Sequence, residues 1–140
     1  MKLVNMRRHC LAFLLIVVPV TGFASGGKEE AAKLAALEWL ALVDAMQYEM
    51  SWKEAASLFK EQVNTLDWVS AVTAARSTLG NLVDRHLISA AHAISLPGAP
   101  DGEYVVLEFQ SSFEHKAQAV ETVTPMLDEG KWRVSGYYIR

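Results

Sequence analysis

The sequence predicts an α+β domain, with about three N-terminal helices packed in the concave face of a curved, four-stranded antiparallel meander. Three observations predict it. Apolar residues recur at helical spacing as far as Gly80, they alternate with polar residues beyond it, and only short turn-rich stretches separate the alternating segments. Consecutive strands joined by turns pair antiparallel with their neighbours, and the helices before them must cover one face.

The first helix is expected from Lys28 to about Gln47. Leu37, Leu40 and Val43 or Asp44 recur at helical spacing with Ala36, Trp39 and Met46 alongside, in a run of strong helix formers. Glu29 and Glu30 stand in its first turn, where negative charge suits the helix dipole. Ser51 and Glu54 have the spacing of a capping box, which predicts a second helix from Ser51 to about Lys60. A third should begin after Thr65, carry Leu66, Val69, Val72, Arg76 and Leu79 on one stripe, and stop at Gly80.

Arg85 to Ser95 reads as the first strand, and Leu96 to Gly102, LPGAPDG, as its turn. In Glu103 to Phe113, Val105, Leu107, Phe109 and Phe113 share one face, against Tyr104, Glu108, Gln110 and Ser112 on the other. Glu114, His115 and Lys116 form a turn, Ala117 to Leu127 a third strand, and Asp128 to Lys131 a turn in which Gly130 is free to take positive φ. The last strand is Trp132 to Arg140, in KWRVSGYYIR. Alternation there predicts Trp132, Val134 and Tyr138 on the helix side and Arg133 and Tyr137 opposite, unless Gly136 hosts a bulge that shifts the final residues. Pro125 conflicts with a central strand, because it has no amide to donate; either pairing ends near Thr124 or a bulge lies there.

The N-terminus has the pattern of a secretory signal. Lys2, Arg7 and Arg8 precede an apolar run from Leu11 to Val18, followed by small residues, and Pro19 and Thr21 interrupt the run well short of the roughly 20 apolar residues that span a bilayer. Cleavage after Ala24 leaves one domain, 25–140, located in the periplasm or secreted, with no stable membrane anchor. A lipid anchor would need a cysteine just after the apolar run, and Cys10, the one cysteine, precedes it. The full chain has 13 basic residues; ten remain after Ala24, against 16 acidic, so the mature net charge is −6. A nucleic-acid partner is not expected, since phosphate binding requires a positive field.

The runs AARSTLGNLVDRHL, LPGAPDGEYVVLEFQSSFEHKAQAVETV and EGKWRVSGYYIR resemble the bacterial domain-of-unknown-function family 4019. The carrying positions are Arg76 with Leu79 and Gly80, Pro97 and Gly98 with Gly102 and Tyr104, Glu121 with Thr122, and Trp132 with Gly136, Tyr137 and Tyr138. The resemblance implies an exported protein of the cystatin-like cone shape typified by nuclear transport factor 2. That shape serves isomerases, dehydratases, secretion components and plain binding modules, so it does not fix a function.

Glu121 is the central candidate. If Leu127 pairs with Trp132 across the Gly130 turn, Glu121 falls opposite Tyr138; an odd-length turn after Phe113 places it on the face of Leu107 and Phe109, and an even-length turn places it outside. An inward Glu121 could act as a general base with the Tyr138 hydroxyl as donor. The competing structural role is a buried ion pair with Arg76 or Arg85. Asp44, Tyr48 and Arg76 are further polar residues able to look into the same cup. Trp39, Trp52, Trp68 and Trp132 could cage a ligand but suit a core equally well. His86 and His92, on one strand face, stand about 20 Å apart at strand rise and cannot share a metal. No cofactor is expected, because phosphate-loop and nucleophile-elbow motifs are absent. The sequence thus favours a non-catalytic module that recognises a small ligand or protein segment in the cup, with Glu121, Tyr138, Arg76, Arg85, Tyr48 and Trp39 as pocket residues. An acid-base enzyme using Glu121 with Tyr138, and a structural subunit of an envelope assembly, are the alternatives. A homodimer could form through the outer sheet face.

Overall fold

The computed structural model describes residues 24–140. Apart from Ala24, the expected signal segment lies outside the described residues. Four helices, α1 (Ala24–Asp44), α2 (Tyr48–Glu54), α3 (Ser57–Gln62) and α4 (Thr65–Ser77), precede four strands, β1 (Leu82–Ala93), β2 (Tyr104–Phe113), β3 (Lys116–Asp128) and β4 (Lys131–Ile139). The strands form one antiparallel sheet in the order β1-β2-β3-β4. This is the α+β architecture expected, with the helices packed on one face, and it is compatible with the cone implied by the resemblance. Among the described residues, no helix is long and apolar enough to cross a membrane.

The core forms where α1 lies across the sheet. Ala32, Ala36, Trp39, Leu40 and Val43 of α1 are buried against Val105, Leu107, Phe109, Val123 and Val134 from the strands. The two alanines let the helix approach the sheet closely, and Trp39 fills the space toward Phe59, Trp68 and Tyr137, with ring centroids 6.4, 5.7 and 5.5 Å away. Trp39 and Trp68 are therefore core residues with Trp52 packed at their margin, and the N–H groups of these three find acceptors as buried indoles must. Trp39 Nε1 donates to the Ser51 carbonyl at 2.7 Å, Trp68 Nε1 to Ser51 Oγ at 3.0 Å, and Trp52 Nε1 to the Val63 carbonyl at 2.8 Å.

Two helix expectations need correction. Ser51 lies inside α2, where its hydroxyl donates to the Tyr48 carbonyl and receives Trp68, so it does not cap a helix. The single helix expected from Ser51 to Lys60 is two, because Ala55 and Ala56 are extended and the Ala56 N–H donates to the Val134 carbonyl on the β4 edge at 2.8 Å. That tertiary bond overrides alanine's helix preference. In α4, capped by Asn64, the inward stripe is Trp68, Val72 and Arg76, while Leu66 is 82% exposed. Gly80 ends the helical region at φ +74°, and a Cβ there would come within 2.9 Å of the Glu114 Cβ.

Register shifts in the sheet set which side chains face inward, among them one between Ser111 and Phe113 in the β2–β3 pair. In β1, Leu87 pairs with Phe109 and Ser89 with Glu108, so Ile88 is the extra residue. The side chains beyond it change face: His86 pairs with outward Gln110, His92 with buried Val105. The two histidines thus lie on opposite faces, not on one. In β4, Leu127↔Trp132 through Pro125↔Val134 keep one register, and Thr124↔Gly136 through Glu121↔Ile139 keep another, with Ser135 as the extra residue. The Ser135 hydroxyl donates to the Thr124 carbonyl at 2.7 Å, satisfying an acceptor at the irregularity. The β2–β3 pairing includes Tyr104↔Met126 and resumes at Leu107↔Val123, so the missing amide of Pro125 falls in a gap of the ladder. Tyr104, expected on a wet face, is buried under the LPGAPDG turn and donates to the Pro100 carbonyl.

Candidate functional site

Beneath the C-terminal end of α1, six side chains form a largely buried polar cluster that reaches the surface at Asp44, whose side chain is 22% exposed. Asp44 comes from the end of α1, Arg76 from the last turn of α4, and Arg85, Ser111, Glu121 and Tyr137 from β1, β2, β3 and β4 in turn. Every strand and the two longest helices supply one group. Phe109 pairs with Glu121 across β2 and β3, so the carboxylate stands on the inward face and is fully buried; the turn between Phe113 and Lys116 is two residues long, which alone would point Glu121 outward, and the register shift between Ser111 and Phe113 turns it in.

Glu121 has no oxygen left for a substrate. Its Oε1 accepts from Arg85 Nε at 2.7 Å and from Ser111 Oγ at 2.6 Å; its Oε2 accepts from the Tyr137 hydroxyl and lies 3.6 Å from an Arg76 guanidinium nitrogen. A carboxylate offers about four acceptor positions; three receive hydrogen bonds here, and the remaining side lies toward Arg76, whose Nη1 donates to the Tyr137 hydroxyl at 3.3 Å. Asp44 completes the arrangement from the other side. Arg85 reaches both its oxygens, at 2.7 and 3.1 Å, and Arg76 reaches one at 2.6 Å. Arg76 also stacks over Phe113, its guanidinium carbon 4.7 Å from the ring centroid. Two arginines against two carboxylates leave the cluster formally neutral.

Its electrostatics favour this charged, paired state. Burial would raise the Asp44 pKa, but the hydrogen bonds from Arg85 and then Arg76 outweigh it and hold the carboxyl below its usual range. Burial would lower both guanidinium pKa values, and the bonds to Asp44, with Glu121 added for Arg85, push them above the ordinary arginine value instead. Burial and the adjacent Glu121 charge push the Tyr137 phenol well up, so it stays a neutral donor. Asp44 stands at the negative end of α1, where a carboxylate is disfavoured by the helix dipole. The arginines supply the attraction that keeps it there.

The expected residues separate into three groups. Glu121, Arg76 and Arg85 come together in the cluster, with Asp44. Trp39 lines a surface cleft of about 390 Å³ and Tyr48, with Asp44 and Arg76, a second of about 260 Å³. Tyr138 is not at the site. It pairs with Thr122 and is 61% exposed, because the extra residue Ser135 shifts the register by one and turns Tyr137 inward in its place. For the same reason the expected inward set of Trp132, Val134 and Tyr138 is corrected to Val134 and Tyr137, with Trp132 half-buried at the margin. Ser111 went unassigned, although it shares parity with Val105, Leu107, Phe109 and Phe113; a lone hydroxyl in that apolar alternation was the available signal.

Tyr137→Phe is expected to destabilise the fold by about 1–3 kcal/mol, since it removes a donor from a buried carboxylate. Tyr138→Phe should stay within about 0.5 kcal/mol of the parent, as a surface change. Urea unfolding of both variants checks the register of β4, and the reverse order would refute it.

The fold and cluster define a small helix-on-sheet domain built around a largely buried ion network. The chain belongs to the family described as Protein of unknown function (DUF4019), which matches residues 35–137. That span contains all six members of the cluster. No curated protein and no solved structure matches the chain.

Proposed function

We propose that the protein is an exported, non-catalytic binding module. The observation that carries the reading is the saturation of Glu121: it accepts from Arg85, Ser111 and Tyr137, faces Arg76, and is wholly buried. A general base must be able to reach the proton it removes, directly or through one water. The space beneath α1 is occupied by Trp39, Phe59, Trp68, Tyr137 and the cluster, so recognition belongs to the surface clefts and not to the interior cup. In the acid-base alternative Tyr138 points away from Glu121, and the phenol in its place, Tyr137, is occupied by Glu121 and Arg76.

Export rests on the basic start, the interrupted apolar run and the small residues at Gly22 and Ala24. Intact-mass measurement of the protein from the envelope fraction should give a chain beginning near Ser25; a chain retaining Met1 to Ala24 and associated with membrane would overturn the localisation. The same preparation tests binding. A small molecule retained by the native protein should raise its melting temperature and be recovered unchanged. Recovery of a transformed product would establish an enzyme instead.

A further inference from the structure

Between α1, the end of α2 and the start of β4 lies the cleft of about 390 Å³ lined by Trp39, Leu42 and Val134, with Trp132 half-exposed at its side. Its charged residues are sorted by wall. Glu38 of α1 and Glu54 of α2 stand on the helical side, Lys131 and Arg133 on the strand side. Among the described residues, none of these four takes part in an ion pair. Asp128, whose charge acts on Arg133, has one carboxylate oxygen held by the Ser57 N–H and hydroxyl. A small floor of Ala35, Leu42 and Trp132, with Trp39 and Val134 buried behind it, lies between an acidic wall and a basic wall and complements a ligand with the same three parts.

We propose that this cleft binds a short apolar peptide with free termini, roughly two to three residues long, a size suited to a pocket at the lower end of the ligand-site range. Its ammonium lies toward Glu38 and Glu54, its carboxylate toward Lys131 and Arg133, and its side chains rest on Trp132 and Leu42. The proposal names the ligand class of the binding module argued above and rests on that reading. Charge sorted in this way fixes the direction of the bound chain and rejects the reversed one, in which like charges meet.

The test is calorimetric titration of the full protein with the tripeptide Leu-Phe-Leu, its N-acetylated form and its C-amidated form. The free peptide should bind saturably at millimolar concentration or below. N-acetylation should weaken binding by about three- to tenfold, as should the paired substitution Glu38→Gln with Glu54→Gln, and the two changes together should cost little more than either alone. C-amidation and the pair Lys131→Gln with Arg133→Gln should behave likewise at the other wall. The four positions carry polar heads at the surface, and unchanged melting temperatures show that the variants fold. Absence of saturable binding, or binding indifferent to both end groups and both substitutions, would overturn the cleft assignment, while a different retained ligand would leave the module reading standing. Cleavage of the bound peptide would overturn the non-catalytic reading and leave the cleft assignment standing.

Discussion

Replacing Glu121 by glutamine is expected to lower the unfolding free energy by roughly 3 to 5 kcal/mol, because the change leaves two buried guanidiniums, Arg76 and Arg85, to share the single charge of Asp44. Arg85 Nε donates to Oε1, which also receives Ser111, and a neutral amide replaces one carboxylate oxygen with a donor. Whichever way the amide turns, a new N–H meets either the Arg85 and Ser111 donors or the Tyr137 hydroxyl and Arg76. The isosteric volume makes a packing defect a minor part of the effect, so the loss reports charge and hydrogen bonding. An unpaired catalytic base would behave in the opposite way, since functional groups held against stability are often neutral or stabilising to replace. Chemical denaturation separates these outcomes, and a neutral or more stable variant would return Glu121 to the list of catalytic candidates.

Arg85→Met should be at least as damaging near neutral pH, by about 3–5 kcal/mol, because it removes the side chain that hydrogen-bonds to both carboxylates. Its pH dependence provides a second signature. In the parent, the Asp44 pKa is lowered in the fold, so its pairing contributes stability above the ordinary carboxyl pKa of about 3.9 and loses it as pH falls through the folded value. Without Arg85, Asp44 loses the stronger of its hydrogen-bonding partners and less of that stability is present to lose. The gap between parent and variant should therefore narrow as pH is lowered from neutrality through the carboxyl range. Urea unfolding at several pH values checks this, and a constant gap would show that Arg85 acts through packing alone.

The partition between what could be read from residues and what could not follows from where local rules stop. The change from helical to alternating spacing at Gly80 placed helices before strands without error of order, since binary pattern directly reflects burial. Arg76 and Arg85 were readable as the partners of an inward Glu121, because a buried carboxylate needs compensation, but its facing was not, since the two-residue turn after Phe113 points it outward and a register shift between Ser111 and Phe113 turns it in. Nor was the identity of its tyrosine. Ser135 adds a single residue to β4, and one residue inverts every side chain beyond it, so Tyr137 and Tyr138 exchange places. Pro125 and Gly136 announced an irregularity nearby, but its position depends on which carbonyl a serine hydroxyl can reach. The same limit separated α2 from α3, where a backbone bond from Ala56 to Val134, distant in sequence, outweighs helix propensity. Asp44 was visible as a polar residue on a helix face; its role emerged only when α4 and β1 brought two arginines to it.

The claim that the cluster is a structural network is tested most directly by a double-mutant cycle between Glu121 and Arg85, using Glu121→Gln, Arg85→Met and the double variant, each measured by urea unfolding at neutral pH. Removing both partners should cost less than the sum of the single changes, leaving a coupling free energy of about 2 kcal/mol or more in the range found for directly contacting groups. A coupling near zero would mean that the two side chains contribute independently, and would contradict the account.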